Sequence, residues 1–530
     1  MDSIITNLFE DQLSLVEESK EQIKKAYKID NRPWVVGYSG GKDSTVVVQL
    51  IFEAMLEMKK EELTKKIYVI SSDTLVETPL IINSINQTLS RIQTEAIKQD
   101  LPIETHKVKP LYENSFWVNI IGRGYPSPNQ TFRWCTDRLK IDPSNQFIKE
   151  KVSDFGEVIM VLGVREDESI SRGNNIRSHS IEGNMFMRHS TLSNAYVYAP
   201  IRKFSLDDVW NYLLQCPSPW GDDNFELHKM YQDSSSGECP LVVDKSIKES
   251  AGSCGNSRFG CWVCTVVNED KALSGFIQSG EDWMKPLLNF RNWLASIRDD
   301  RTRRMKYRMN GQTYIREVKI ELDRDEVAWV IIPKKGGREK TRIKFDDYTK
   351  VPKLELASYL KENKIDLSAP EDTDFLIEYT ETGLEGEEML KYGQLGLGPY
   401  TFETRNEILQ RLLAVQATVV HPNDPYYEVI TKDEMKVIRE IWFKEGVWED
   451  EVSNTYRKVF AKELDFEEDN QAIISSDQIS DLELLCSEYN IDLRTVKKLI
   501  NLEQKFAGYK FRRGINEEIT KVLKQDYLHL

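Results

Sequence analysis

Six residues, Ser39-Gly40-Gly41-Lys42-Asp43-Ser44, follow the apolar run Trp34-Val35-Val36-Gly37-Tyr38 and precede a longer one, Val46-Val47-Val48-Gln49-Leu50-Ile51. A short β-branched run, two glycines and a lysine in that order predict strand, tight turn and helix start. Such a unit aims backbone N–H groups and a helix N-terminus at an anion. Lys42 adds a full charge, and the glycines let the main chain approach without a Cβ in the way. A Walker loop places four residues between its first glycine and the Gly-Lys pair, and this turn is far shorter. The plainer reading of the same residues is a βα turn rich in small side chains.

The 530-residue length allows roughly three domains and a large core. With 40% hydrophobic and 30% charged residues the chain reads as soluble and globular. It has no apolar run of the roughly 18 residues a membrane span needs. The start, Met1-Asp2-Ser3-Ile4-Ile5, lacks a basic region followed by an apolar one, so no signal peptide is expected and the cytoplasm is the expected location. A net charge of −15 argues against gripping nucleic acid by bulk electrostatics. Local basic runs exist at Arg298, Arg301, Arg303, Arg304, Lys306 and Arg308, and again from Lys334 to Lys344. Each reads first as a solvated face or linker and second as a nucleic-acid contact. Four of the seven cysteines (Cys239, Cys254, Cys261, Cys264) crowd one segment, while Cys135, Cys216 and Cys486 stand apart. That distribution favours thiol or metal chemistry over a disulfide framework.

Along the chain, residues 4–28 and 79–98 carry helical periodicity, and strands are expected at 67–72, 103–108, 158–162 and 196–201. Strands alternating with helical patterns predict an α/β fold, a mainly parallel sheet with helices on both faces. Ligands of such sheets sit beyond the carboxyl ends of the strands, where the 39–44 turn, Asp73 and Arg165 fall. The polar stretch from Glu166 to Ala195 reads as a long loop. Residues 1–285 form the expected first domain, with a Cys-rich segment at 239–264. A connecting region with short strands and basic runs follows at 286–350, and a largely helical domain at 351–530.

Three further clusters carry chemistry. Arg133-Trp134-Cys135-Thr136-Asp137-Arg138-Leu139-Lys140 sets cations beside a thiol, favouring thiolate and anion binding. Gly163-Val164-Arg165-Glu166-Asp167-Glu168, running on to Arg172, follows a strand and supplies guanidiniums suited to phosphate or sulfate oxygens. Cys254, seven residues before the Cys261-Trp262-Val263-Cys264 pair, can wrap one metal centre, either a zinc site or a [4Fe–4S] cluster. Ser205 with Asp208 reads as a helix cap.

Ser-Gly-Gly-Lys-Asp-Ser resembles the PP-loop of ATP pyrophosphatases, with an adenine nucleotide alpha hydrolase-like fold. With the Arg133 and Arg165 clusters it resembles the phosphoadenylyl-sulfate (PAPS) reductase family over about the first 285 residues. Arg133-Trp134-Cys135-Thr136, Glu238-Cys239-Pro240 and Cys254-Gly255-Asn256-Ser257-Arg258-Phe259-Gly260-Cys261 extend the likeness to the DndC family, the sulfurtransferases of bacterial DNA phosphorothioation. The resemblance implies ATP, Mg²⁺ and a [4Fe–4S] cluster as cofactors, and DNA, a cysteine desulfurase and other DNA-modification subunits as partners. It implies that Ser39, Gly40, Gly41, Lys42, Asp43, Ser44, Asp73, Arg133 and Lys140 hold the nucleotide, with Lys42, Asp43, Arg165 and Arg172 catalytic. Cys135, Cys254, Cys261 and Cys264 become the cluster ligands, with Cys239 as substitute or sulfur carrier. Two departures stand out. Iron–sulfur reductases carry a cysteine pair where this chain has Cys135-Thr136, and PAPS-type reductases use a C-terminal catalytic cysteine, whereas Cys486 reads as a buried helix position. A sulfonucleotide reductase, a tRNA thiolase and an ATP-sensing scaffold subunit remain alternatives.

Overall fold

A computed structural model describes residues 2–166, 185–189, 192–234, 260–305, 315–323, 326–331, 349–352, 376–382, 388–395, 397–464, 466, 476–507 and 512–524. Arg172, Cys239, Cys254 and the basic run from Lys334 to Lys344 lie outside the described residues. The chain forms two units. One comprises 1–118, 128–295 and 415–434, and the other 119–127, 296–414 and 435–530.

In chain order the first unit contains α1 (Asp2–Lys28), β1 (Trp34–Gly37), α2 (Lys42–Glu57), β2 (Ile67–Ser72), α3 (Pro79–Lys98) and β3 (Ile103–Val108). Next come α4 (Asp142–Phe155), β4 (Val158–Val161), β5 (Met187–Arg188), β6 (Ala195–Tyr198), α5 (Leu206–Gln215), α6 (Asn224–Ser234), α7 (Lys271–Gln278) and α8 (Lys285–Ser296). The six strands form one sheet in the order β3-β2-β1-β4-β6-β5. All neighbours run parallel except the short edge strand β5, which is antiparallel to β6. The order reverses at β1, so the 39–44 turn leaves the sheet at its topological switch point, where ligands of such folds bind.

β1 is apolar throughout because both of its faces are covered; Trp34, Val35 and Val36 are at most 1% exposed. Side chains alternate across a strand. On one face Trp34 meets Tyr27 of α1 edge-on at 5.5 Å between ring centroids. On the other, Val35 joins Tyr68, Ile70 and Val158 in a cluster with Ile148 of α4. Helices therefore cover both faces, as the alternating pattern predicts. The cap read at Ser205 is a full capping box with Asp208, opening α5. Residues 415–434 belong to this unit: Trp117 Nε1 donates to the Val429 carbonyl at 2.8 Å, and Asn83 Nδ2 stands 3.0 Å from His421 Nε2.

The second unit holds an antiparallel sheet of β7 (Ile315–Asp323), β8 (Glu326–Ile331), β9 (Thr349–Pro352), β10 (Leu376–Thr382) and β11 (Glu388–Leu395), ordered β10-β11-β7-β8-β9. The helices that follow are α9 (Phe402–Thr418), α10 (Lys432–Lys444), α11 (Glu451–Phe460), α12 (Ser476–Glu488), α13 (Leu493–Phe506) and α14 (Ile515–Lys524). Helix was expected from about 350 onward, yet β9 to β11 occupy part of that stretch. Leu376-Ile377-Glu378-Tyr379-Thr380 is β-branched and aromatic enough to favour strand, while its glutamates imitate a charged helix face. In the first basic run, Arg304 is buried and donates to the carbonyls of Gly398 and Arg298, and Arg303 pairs with Glu407. These two guanidiniums hold the unit together. Among the described residues no helix is long and apolar enough to cross a membrane.

Candidate functional site

The phosphate-loop candidate is built by two close backbone approaches. Gly40 adopts φ +72°, a left-handed conformation that glycine reaches without strain, and a Cβ there would meet Ile85 at 2.6 Å. At the exit of β4, a Cβ on Gly163 would stand 2.8 Å from the Asp43 carbonyl oxygen, so the start of α2 rests directly on that strand end. Helix α2 begins at Lys42 behind Gly41, which supplies no side-chain cap. Ser44 Oγ donates to the Gly41 carbonyl at 2.8 Å and accepts from the Ser39 amide at 3.2 Å, closing the turn on itself. Ser39 Oγ and Ser44 Oγ stand 3.2 Å apart.

Asp43 lies between two cations. Arg165 Nε donates to its Oδ1 at 2.6 Å, and Lys42 Nζ reaches Oδ2 at 3.0 Å. Arg165 is buried, and its charge is paired with this carboxylate. The arrangement concentrates two positive charges and one carboxylate at a helix N-terminus, the donor set a polyphosphate with a divalent cation requires.

Asp73 leaves the neighbouring strand β2 and sits 3.5 Å from the ammonium groups of both Lys107 and Lys109. Its Oδ1 accepts the Leu75 amide at 3.0 Å, and Leu75 takes φ +66°, a strained conformation for a leucine. One residue further, Thr74 Oγ1 lies 3.3 Å from Cys261 Sγ and donates to Glu77 Oε1 at 3.0 Å. Glu77 and Cys261 form an antiparallel bridge, and Trp262 N donates to the Val76 carbonyl at 3.1 Å. Lys140 Nζ completes the group 3.2 Å from Glu77 Oε1.

Cys135, Cys261 and Cys264 interact electrostatically in this neighbourhood. Burial raises the Cys135 thiol pKa, and the Cys264 charge raises it further. Burial, then Glu77, then Cys264 push Cys261 upward, with Lys140 opposing. Lys140, facing Cys261 and Glu77, is held protonated above the usual lysine range. Cys135 is anchored by Trp134, which stacks on Phe116 at 5.5 Å. Cys261 and Cys264 are anchored by Trp262, buried against Trp117 and Phe290. Among the described residues no group of three or more His, Cys, Asp or Glu side chains stands at metal-holding spacing. The three thiols Cys135, Cys261 and Cys264 come from two segments, with Lys140 beside them.

The predicted residues thus gather around two foci of one unit. Ser39 to Ser44 and Arg165 surround the turn, while Cys135, Lys140, Cys261 and Cys264 surround the β2 exit. Asp73 adjoins the second focus, and Arg133 is exposed at the head of the turn that carries Cys135. Two residues were not foreseen. Glu77 is the shared acceptor of Thr74 and Lys140. Arg291, fully buried in α8, donates to the carbonyls of Cys264 at 2.8 Å, Asn268 at 2.9 Å and Val267. Its signal was in the sequence: it shares the helical stripe of Leu287, Phe290 and Leu294, where a charge is out of place.

Residues 33–267 match the family model described as the phosphoadenosine phosphosulfate reductase domain. An uncharacterized protein of Methanocaldococcus jannaschii is 28% identical over 295 residues, covering 54% of this chain and 47% of that protein. The chain therefore spans about half the length of that relative. A phosphoadenylyl-sulfate reductase of Candida auris, solved with phosphate, superposes with TM-score 0.25 at 14% identity over 41% of this chain and 87% of that one. The U34-tRNA thiolase NcsA of Methanococcus maripaludis, solved with its [4Fe–4S] cluster, gives 0.26 at 12% over 54% and 80% respectively. Residues 33–267 are thus similar to a phosphoadenosine phosphosulfate reductase domain, and the strand order with the glycine turn at its switch point agrees with that likeness.

Proposed function

We propose that this chain is a PP-loop ATP pyrophosphatase that replaces a non-bridging oxygen of a DNA phosphate with sulfur. One observation carries the reading: the Cys261–Cys264 segment is pinned to the loop leaving β2, the strand beside the one that ends in Ser39-Gly40-Gly41-Lys42. A sulfur-bearing site and a nucleotide site then share one edge of one sheet.

A phosphodiester oxygen is a poor leaving group. In this reading the DNA oxygen attacks the α-phosphorus of ATP, and pyrophosphate departs into the 39–44 turn. The backbone at Gly40 and Gly41, the Ser39 and Ser44 hydroxyls and Lys42 stabilise its charge, an effect typically worth a factor of about 10² to 10³ per donor. Asp43 and Asp73 would hold Mg²⁺, and Arg165 would turn from Asp43 toward the α-phosphate. A sulfur nucleophile then attacks the DNA phosphorus, and the activated oxygen leaves with AMP. Cys135, Cys261 and Cys264, with Cys254, would hold a [4Fe–4S] cluster, which supplies electron or sulfur handling when bound. A cysteine desulfurase would deliver the sulfur as a persulfide, and a thiol reductant would supply the two electrons that bring it to the sulfide level of the product. Sulfonucleotide reduction fits less well, because Cys486 is buried in α12 and offers no exposed thiol there.

The test is mass spectrometry of nuclease-digested genomic DNA from cells with and without the gene. Phosphorothioate-linked dinucleotides that vanish on deletion support the reading. DNA free of sulfur in both strains overturns it.

A further inference from the structure

Three neighbouring strands end side by side at the carboxyl edge of the parallel sheet. β1 runs into the 39–44 turn, and β2 into the loop that carries Asp73 and meets Cys261. The third, β3, ends in Lys107-Val108, with Lys109 next along the chain. The Asp73 amide donates to the Val108 carbonyl at 2.9 Å, so the β2 loop lies along this end. Side chains two residues apart fall on one side of a strand. Both ammonium groups reach the same atom, Asp73 Oδ2, each at 3.5 Å. Lys107 also donates to Asn86 Oδ1 of α3 at 3.0 Å.

One carboxylate faces two ammonium groups, so the group keeps a net positive charge. The carboxylate is the inner partner: the Asp73 side chain is 10% exposed, against 31% for Lys107 and 49% for Lys109. The end of β3 therefore presents cations to solvent, on a chain whose net charge is −15. A chain of that charge repels a polyanion except where such a patch inverts the local field. Arg138 Nη1 donates to Asn114 Oδ1 at 3.2 Å, which ties the segment carrying Cys135 and the exposed Arg133 to the turn that follows Lys109. We propose that Lys107 and Lys109 hold backbone phosphates of the DNA substrate. The duplex then rests at the end of β3, with the thiol segment beside it and the nucleotide turn one strand further. The strand order β3-β2-β1 becomes substrate, sulfur, ATP. The proposal rests on the DNA reading and gives that reading its substrate surface.

Fluorescence anisotropy of a labelled random-sequence DNA duplex with the full chain, followed from about 50 to 200 mM salt, tests it. Each phosphate contact adds about 0.9 to the slope of log affinity against log salt concentration. Lys107→Gln with Lys109→Gln is expected to flatten that slope by about 1.8, so its affinity deficit shrinks about 10-fold across the range. Lys107→Arg with Lys109→Arg keeps both charges and the wild-type slope. Lys60→Gln with Lys98→Gln removes two exposed charges at the opposite edge of the sheet, where α3 gives way to β3, and leaves the slope unchanged. A wild-type slope in the Lys107 and Lys109 glutamine pair overturns the proposal while the DNA reading stands. So does an equal flattening by the arginine pair or by the Lys60 and Lys98 pair. A wild-type chain that binds no DNA overturns the proposal as well, and the phosphorothioate measurement then decides the DNA reading on its own.

Discussion

Gly163 and Asp43 touch through their backbones: a Cβ on the glycine would lie 2.8 Å from the aspartate carbonyl oxygen and 2.9 Å from its carbon. This contact ties the end of β4 to the first turn of α2, and two residues further Arg165 turns back to the Asp43 carboxylate. The catalytic geometry proposed for the turn depends on that approach. Gly163→Ala must push α2 away from β4, and inserting atoms into a packed contact costs about 1–3 kcal/mol. The expected outcome is a folded protein with ATP binding weakened by about 5- to 150-fold, the affinity equivalent of such a cost. Calorimetric titration alongside a thermal melt checks it.

Arg291→Met makes a different prediction. The guanidinium serves the carbonyls of Cys264, Val267 and Asn268 from inside the core. Methionine fills the volume and leaves the Cys264 carbonyl, the one acceptor not on an exposed residue, without its donor, at about 1–3 kcal/mol. Denaturant titration of the full chain is expected to show a lower midpoint. Iron retained after anaerobic reconstitution is expected to fall with it, because the Cys261–Cys264 segment loses its anchor.

The pH dependence of stability has a specific contributor. Lys65 is buried beneath Tyr27 and Trp34, and burial lowers its pKa from 10.5 to about 8 against the opposing pull of Asp30. Between those values the unfolded chain binds a proton that the folded chain does not. Stability therefore rises with pH across that window, and the cost of the buried charge is fully present below about 8. Lys65→Met removes this contribution, while Asp30 keeps its paired contact with Arg32. The difference in urea midpoint between mutant and wild type is expected to be largest near neutral pH and to shrink as pH rises. A difference that stays constant with pH contradicts the assignment.

Much of the first unit was legible because its signals are local. The β-branched runs at 34–36 and 67–70 are buried on both faces and admit one assignment, and the glycine at 40 marks a turn that other residues would strain. The Cys-x-x-Cys spacing puts Cys261 and Cys264 in one turn. Glu77 and Arg291 escaped because each acts across the fold. Arg291 meets the carbonyl of Cys264, 27 residues earlier, and Glu77 gains its meaning only when the Cys261 segment pairs beside it. The strands at 376–382 and 388–395 escaped for another reason: in an antiparallel sheet the partner strand sets the structure, and glutamates spread along a strand look like a solvated helix.

The central claim is that the 39–44 turn cleaves ATP between its α- and β-phosphates. Phosphorus NMR of ATP incubated with the full chain, Mg²⁺, duplex DNA and a cysteine-charged desulfurase tests it directly. The account predicts AMP and pyrophosphate as products, with Lys42→Ala slowing their appearance by about 10² to 10³. ADP and inorganic phosphate, or AMP formed at an unchanged rate by Lys42→Ala, would contradict it.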